Sequence, residues 1–168
     1  MGLDMYLRKY AKVSGASFPE TVDRTEWTEI KEVGYWRKAN QIHRYFVDNI
    51  QNSIDDGGTY EIQKETIEDL CRKCQTVKDL LAHLEKKTVS EEIGWNGRER
   101  KPIFADNEVF VNTEQIANIL PTRGGFFFGS TEYDSGYSED IDGTIEICEK
   151  ILKDFDFENN YLAYHASW

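Results

Sequence analysis

The chain has 168 residues, with 20 Lys plus Arg against 31 Asp plus Glu, so its formal net charge is −11 at pH 7. Hydrophobic residues make up 39% and aromatic residues 13%, enough for a packed core, and the length suits one domain over residues 1–168. With no basic lead at the N-terminus, no apolar run near the ~20 residues of a membrane span and no basic surplus for a phosphate backbone, we expect a cytoplasmic protein. No membrane contact and no direct nucleic-acid partner are expected either.

Residues 3–10 alternate Tyr and Leu with polar side chains and predict a first strand. Residues 14–32 mix Ser, Gly, Thr and Pro19 with acids and read as a surface excursion pinned by Phe18, Trp27 and Ile30. From Val33 to Asn52 the spacing turns helical. Tyr35, Ala39, Ile42, Phe46 and Ile50 fall on one stripe, with Arg37, Gln41, Arg44 and Asp48 opposite. Asp55-Asp56-Gly57-Gly58 ends that helix, and Tyr60-Glu61-Ile62 makes a short extended piece. Ile67, Leu70, Cys71, Cys74, Val77, Leu81 and Leu84 keep an unbroken helical spacing that predicts a helix over 64–87.

Residues 88–111 are charged and irregular, with Gly94-Trp95-Asn96-Gly97 as a turn. Asn112 and Gln115 resemble a capping box opening a short helix near 113–120. The apolar run Gly125-Phe126-Phe127-Phe128-Gly129 predicts a strand buried on both faces. Ser138 caps a last helix near 138–154, with Glu139, Asp140 and Asp142 placed to complement its dipole. Residues 161–167 predict a terminal strand. No βαβ unit recurs, so the expected fold is α+β: a small, mostly antiparallel sheet from strands near 3–10, 125–129 and 161–167. Helices near 33–52, 64–87, 113–120 and 138–154 pack on one face of it.

Few stretches offer chemistry. Cys71-Arg72-Lys73-Cys74 matches C-x-x-C, yet both thiols lie inside a helix on its apolar stripe, where cysteine behaves as a small hydrophobe. Three cysteines make no disulfide framework. Gly124 to Thr131 has the glycine spacing of a phosphate loop but Ser130 where that loop needs Lys, so it fails as a Walker motif. Asp140-x-Asp142-Gly143 lacks the other ligand positions of a calcium loop. No metal site, no cofactor and no hydrolase or deaminase signature is expected.

The stretch around residue 40 carries the strongest signal. Trp36, Asn40 and His43 share the flank of the expected helix. Arg37, Lys38 and Arg44 form a cationic island with no acid between Val33 and Val47. Aromatic and hydrogen-bonding groups beside positive charge suit a planar anionic ligand such as a nucleotide. The competing view is structural: Asn40 and His43 tie the helix to nearby backbone while Trp36 fills core.

Three segments also carry a resemblance. Met1-Gly2-Leu3-Asp4-Met5-Tyr6-Leu7, Val33-Gly34-Tyr35-Trp36-Arg37-Lys38-Ala39-Asn40-Gln41-Ile42-His43 and Phe126-Phe127-Phe128-Gly129-Ser130-Thr131-Glu132-Tyr133-Asp134 make the chain similar to a family of small uncharacterised proteins encoded by bacteriophages and prophages. The resemblance implies a phage accessory protein working in a host cytoplasm, with interference in host enzymes, defences or signalling nucleotides as the expected setting. It implies no catalytic residue.

The leading expectation is therefore a counter-defence protein that binds an anionic small molecule in a pocket beside helix 33–52. Trp36 or Tyr133 would stack on the ligand and Arg37, Lys38 or Arg44 would meet its charge. Asn40, His43, Ser130, Thr131 and Asp134 would supply polar contacts. A second reading has the acids of residues 132–158 occupy a basic site on a host nucleic-acid enzyme. A third makes His43 or His165 a general base with Asp134 as its orienting acid. The partner is thus an anionic small molecule or a host protein, and self-association stays open.

Overall fold

In the computed structural model, which describes residues 2–168, the first resemblance segment lacks only Met1. The chain runs β1 (Asp4–Ala11), α1 (Phe18–Arg24), β2 (Lys31–Arg37), α2 (Asn40–Ile50), β3 (Thr59–Ile62) and α3 (Lys64–Leu81). It continues with β4 (Lys86–Asn96), β5 (Lys101–Phe110), α4 (Glu114–Ile119), α5 (Ser135–Asp154) and β6 (Asn160–Ser167). β2, β1, β6 and β3 form, in that order, one fully antiparallel sheet, and β4 pairs with β5 in a separate ribbon. The class is α+β, as expected.

Alternation decides which face of the sheet is covered. Met5 and Leu7 on β1, with Leu162, Tyr164 and Ala166 on β6, are buried and point toward the helices. Phe46 of α2 stacks on Tyr164 with ring centroids 4.2 Å apart. The stripe Ile67, Leu70, Cys74 and Val77 of α3 meets Ile141, Ile145 and Cys148 of α5 in the same core. Gly34 lets α5 sit against β2, since a Cβ there would come within 2.8 Å of the Ile147 side chain. On the opposite face, α1 covers one end of the sheet: Phe18 meets Tyr10 and Tyr161 edge-on.

The stretch expected as one helix over 33–52 is two elements. Residues 31–37 pair with β1, placing Trp36 in the core and Tyr35 outside, and the chain then turns at Lys38, whose φ is +62°. Aromatic and β-branched residues before the corner favour a strand, and Ala39, Ile42 and Phe46 keep the helical stripe after it. The expected strand at 125–129 is a tight loop instead. Phe128 N–H donates to the Gly125 carbonyl at 3.2 Å, and Phe127 and Gly129 have φ of +66° and +92°, which no strand accommodates. Only Phe128 enters the core there; Phe126 is 80% exposed.

The terminal strand and the short extended piece at 60–62 are present as β6 and β3, with β6 between β1 and β3. The helix expected to reach residue 87 ends at Leu81, where 3₁₀-type bonds from His83 to Leu80 and from Leu84 to Leu81 tighten it. The last helix starts at Ser135 rather than 138 and is capped by Asp134, whose Oδ1 accepts from Tyr137 N–H at 3.1 Å. The irregular stretch 88–111 is the β4–β5 hairpin, with its turn at residues 97–100. Both its faces meet solvent over most of its length, so no apolar alternation marks it.

Candidate functional site

The β2–α2 corner, the 125–129 loop and the N-terminus of α5 converge on one cleft. Gly129 makes the convergence possible: a Cβ there would lie 3.0 Å from Lys38 Cβ and 3.2 Å from its carbonyl oxygen. Only glycine combines that contact with its left-handed φ. The resulting cleft encloses about 310 Å³ and is walled by Arg37 and Lys38 on one side. Glu132, Asp134, Glu139 and Asp140 stand among its other lining groups, with Gln41, Ser130, Gly136 and Tyr137 completing it. That volume lies at the small end of ligand pockets.

The acid-rich part of the lining comes from the first turns of α5. Asp140 is held by Gln41, whose Nε2 donates to Asp140 Oδ2 at 3.0 Å. Burial pushes the Asp140 carboxyl up to about 6, against the stabilising Gln41 hydrogen bond and with help from nearby Glu139 and Asp134. Asp134 is occupied at both oxygens, by Tyr137 N–H and by Asn107 Nδ2 at 3.1 Å. Arg37 is solvent-exposed and among the described residues reaches only Asp4, at 4.0 Å, while Ser130 Oγ accepts from Glu132 N–H at 3.1 Å.

Of the residues singled out from sequence, Arg37, Lys38, Ser130 and Asp134 line this cleft. The others are committed elsewhere. Trp36 is buried and donates from Nε1 to Thr144 Oγ1 at 2.9 Å. Asn40 spends its amide on the neighbouring loop: Nδ2 donates to the Phe128 and Ser130 carbonyls at 3.2 and 2.7 Å, and Oδ1 accepts from Arg123 N–H at 2.9 Å. Arg44 donates to the Thr122 carbonyl at 3.0 Å and pairs with Asp48. Tyr133 packs its ring on Tyr137, 4.8 Å between centroids, and Thr131 is exposed with its carbonyl accepting from Thr122 Oγ1.

His43 is the clearest correction. It is 0% exposed and sits inside a chain of polar groups. Nδ1 lies 2.7 Å from Tyr164 Oη, Nε2 lies 2.9 Å from Asp55 Oδ2, and Arg123 Nη2 lies 3.1 Å from the same Asp55 oxygen. Burial lowers the His43 pKa despite Asp55, and it raises that of Tyr164 far above the usual phenol. At neutral pH the ring is therefore uncharged. Because a carboxylate only accepts, Nε2 carries the proton toward Asp55 and the Tyr164 hydroxyl donates to Nδ1. Sealed this way, His43 touches no substrate. His165 lies against Tyr6 on the face of the sheet opposite α5 and its cap Asp134. Neither histidine hydrogen-bonds Asp134.

No protein-family model, no curated protein and no solved structure matches the chain. The site is thus read from its own geometry. Among the described residues, no group of three or more His, Cys, Asp or Glu is placed to hold a metal ion, and no helix is long and apolar enough to cross a membrane. Cys74 and Cys148 are buried in the α3–α5 core with their thiol pKa values raised by burial, which keeps them unreactive. A second hollow of about 330 Å³ lies between β2 and the end of α5. It sets Lys9, Lys31 and Lys150 among Glu32, Asp154 and Asp156 and shares no residue with the expected site.

Sequence reasoning missed Gln41, Glu132, Glu139 and Asp140 as cleft residues. The signal for Glu139 and Asp140 was the acid run at the start of α5, which dipole complementarity alone explained. Only the fold brings that run to face Arg37 and Lys38.

Proposed function

We propose that the protein binds a small polar molecule bearing an anionic group, nucleotide-like in its distribution of charge, in the cleft between the β2–α2 corner and α5. What supports this reading is the division of the lining: Arg37 and Lys38 as cations facing solvent, and Glu132, Glu139 and Asp140 as acceptors nearby. A phosphate or carboxylate meets the two cations, and amino or hydroxyl donors at the ligand's other end meet the carboxylates. A purely anionic ligand fits less well, since acids outnumber cations in the cleft. A role as an accessory protein that withdraws such a molecule from a host pathway rests on the motif resemblance to phage-encoded proteins alone.

The test is a thermal-shift panel of nucleoside mono-, di- and triphosphates alongside the phosphate-free nucleosides. A ligand at a hundredfold its Kd adds about 2.7 kcal/mol of stability, which is readily seen. Stabilisation by a phosphorylated member, absent for its nucleoside and lost in Arg37→Ala/Lys38→Ala, is the expected result. No shift across the panel, with no metabolite released by heating protein purified from phage-infected cells, overturns the reading. A second reading draws on the exposed acids of the same region, among them Glu132 and Glu139. As phosphate mimics they would dock on a basic host protein, with binding that weakens steeply as salt rises.

A further inference from the structure

Three parts of the chain close over His43, and each presents a different group to it. Tyr164 of β6 meets Nδ1, Asp55 of the α2–β3 connection meets Nε2, and the segment between α4 and α5 brings Arg123 and Phe128. Asp55 and Arg123 are the charged groups that act on the ring, and Tyr164 is the titratable group bonded to it. Phe128 lies at 86° to the imidazole, 5.3 Å between centroids, and Trp168 sits 5.6 Å from it. These partners use one ring proton, with Nε2 donating and Nδ1 accepting.

A second proton disrupts the arrangement at both nitrogens. Nδ1 then carries hydrogen toward Tyr164 Oη, 2.7 Å away. The hydroxyl must turn its own hydrogen aside, yet among the described residues it has no other hydrogen-bond partner. At Nε2 the imidazolium shares one Asp55 oxygen with the Arg123 guanidinium, which lies 3.1 Å from it. Two cations then face each other in a site closed to water.

One loop carries two of these costs. Arg123 repels the imidazolium and Phe128 keeps water from it, and both belong to residues 122–131, which form neither helix nor strand. Phe126 and Phe127 are exposed there. The segment is tied to α2 by Asn40 and by Arg44 at the Thr122 carbonyl, and to the N-terminal residues by Leu3 N–H at the Phe127 carbonyl. A loop held by a few polar contacts opens more readily than the packed helices. Moving it away removes the like charge and lets water solvate the imidazolium. The same loop supplies Gly129 and Ser130 to the cleft.

We propose that protonation of His43 releases the 122–131 loop, so that acid opens the cleft wall formed by Gly129 and Ser130. The inference rests on the buried ring and its partners and needs no ligand in the cleft, so it stands or falls separately from the ligand reading. Above the ordinary histidine value near 6.5, neither the closed nor the open form takes the second proton, and opening is independent of pH. Below it the open form alone takes the proton until the lower value of the closed form is reached. Across that window the opening equilibrium grows by up to about tenfold per pH unit. Asp140, bonded to Gln41 of the same helix, gains its proton on acidification too and stabilises the fold as it does so. Its titration therefore works against opening and does not mimic it.

Amide hydrogen exchange of the full chain, read by NMR from about pH 7.5 to about pH 5 and divided by the intrinsic rate at each pH, follows the loop directly. The reporters are Arg123 N–H, bonded to Asn40 Oδ1, and Leu3 N–H, bonded to the Phe127 carbonyl; α3 is the internal control. The expected result is a loss of protection at both reporters that begins near pH 6.5, reaches up to about tenfold per pH unit and leaves α3 unchanged. The nitrogen chemical shifts of His43 report its second proton over the same range. His43→Gln keeps a donor for Asp55 and an acceptor for Tyr164 but cannot titrate, so its profile is flat. Wild-type protection that holds down to about pH 5 overturns the proposal, and so does a loss that α3 shares equally. A His43 ring that stays neutral while the loop opens overturns it without any variant. A loss that persists unchanged in His43→Gln does the same.

Discussion

Asn40 and Lys38 are two residues apart, yet they belong to opposite kinds of environment. On one side of the β2–α2 corner, Asn40, His43, Asp55, Arg123 and Tyr164 form a buried polar core in which nearly every donor and acceptor is answered within the chain. On the other, Arg37 and Lys38 stand at an open cleft, where among the described residues no hydrogen bond engages the Lys38 side chain and Arg37 meets a distant carboxylate. The same residue types that suggest recognition when read along the chain split into a brace and a mouth. A polar group recognises a foreign molecule only with the hydrogen bonds the fold has not already used.

That contrast is sharpest in stability. Replacing His43 with Ala leaves a cavity, strands the buried Tyr164 hydroxyl without a partner and leaves Asp55 to Arg123 alone, so a loss of about 3 kcal/mol is expected from urea unfolding. A loss under about 1 kcal/mol breaks the brace interpretation, because a group that costs so little to remove is not holding the corner together.

Asp140 tests the acidic part of the cleft through pH. Its carboxyl pKa is raised from 3.8 to about 6 in the folded protein. Near pH 3 both folded and unfolded states hold the proton and the group is neutral in the balance. Between 3.8 and about 6 the folded state keeps a proton that the unfolded chain has released, so stability falls as pH rises through this window and stays lowered above it. Asp140→Asn therefore raises stability at pH 8 by on the order of 1–2 kcal/mol, with the gain fading toward pH 4. A gain that persists undiminished at pH 4 shows that burial of charge is not its source.

The smallest stability effect belongs to the mouth. Arg37→Ala/Lys38→Ala changes the unfolding midpoint by less than about 0.5 kcal/mol while abolishing any nucleotide-induced thermal shift. Were this pair to destabilise the fold as strongly as His43→Ala, the division between brace and mouth would collapse.

Legibility followed periodicity and failed at corners. The α3 stripe was plain because Ile67, Leu70, Cys74, Val77 and Leu81 all end up buried. The break at Lys38 was invisible because Tyr35, Ala39 and Ile42 satisfy a helical spacing whether or not the residues before 38 are helical. Three phenylalanines flanked by glycines spell a buried strand until positive φ at Phe127 and Gly129 turns them into a loop. The hairpin left no mark in the pattern, since a ribbon wet on both faces has no reason to alternate.

What the amino-acid sequence determined alone was the set of strongly amphipathic elements, the acidic balance and the cationic island at residues 37–44. These are local quantities, written in spacing and side-chain type. Which of the island's residues face a cleft, and that acids from the start of α5 share it, was decided only in three dimensions. Hydrogen-bond partners 83 to 121 residues away in the chain consume Asn40 and one ring nitrogen of His43, and no local pattern records a partner that distant.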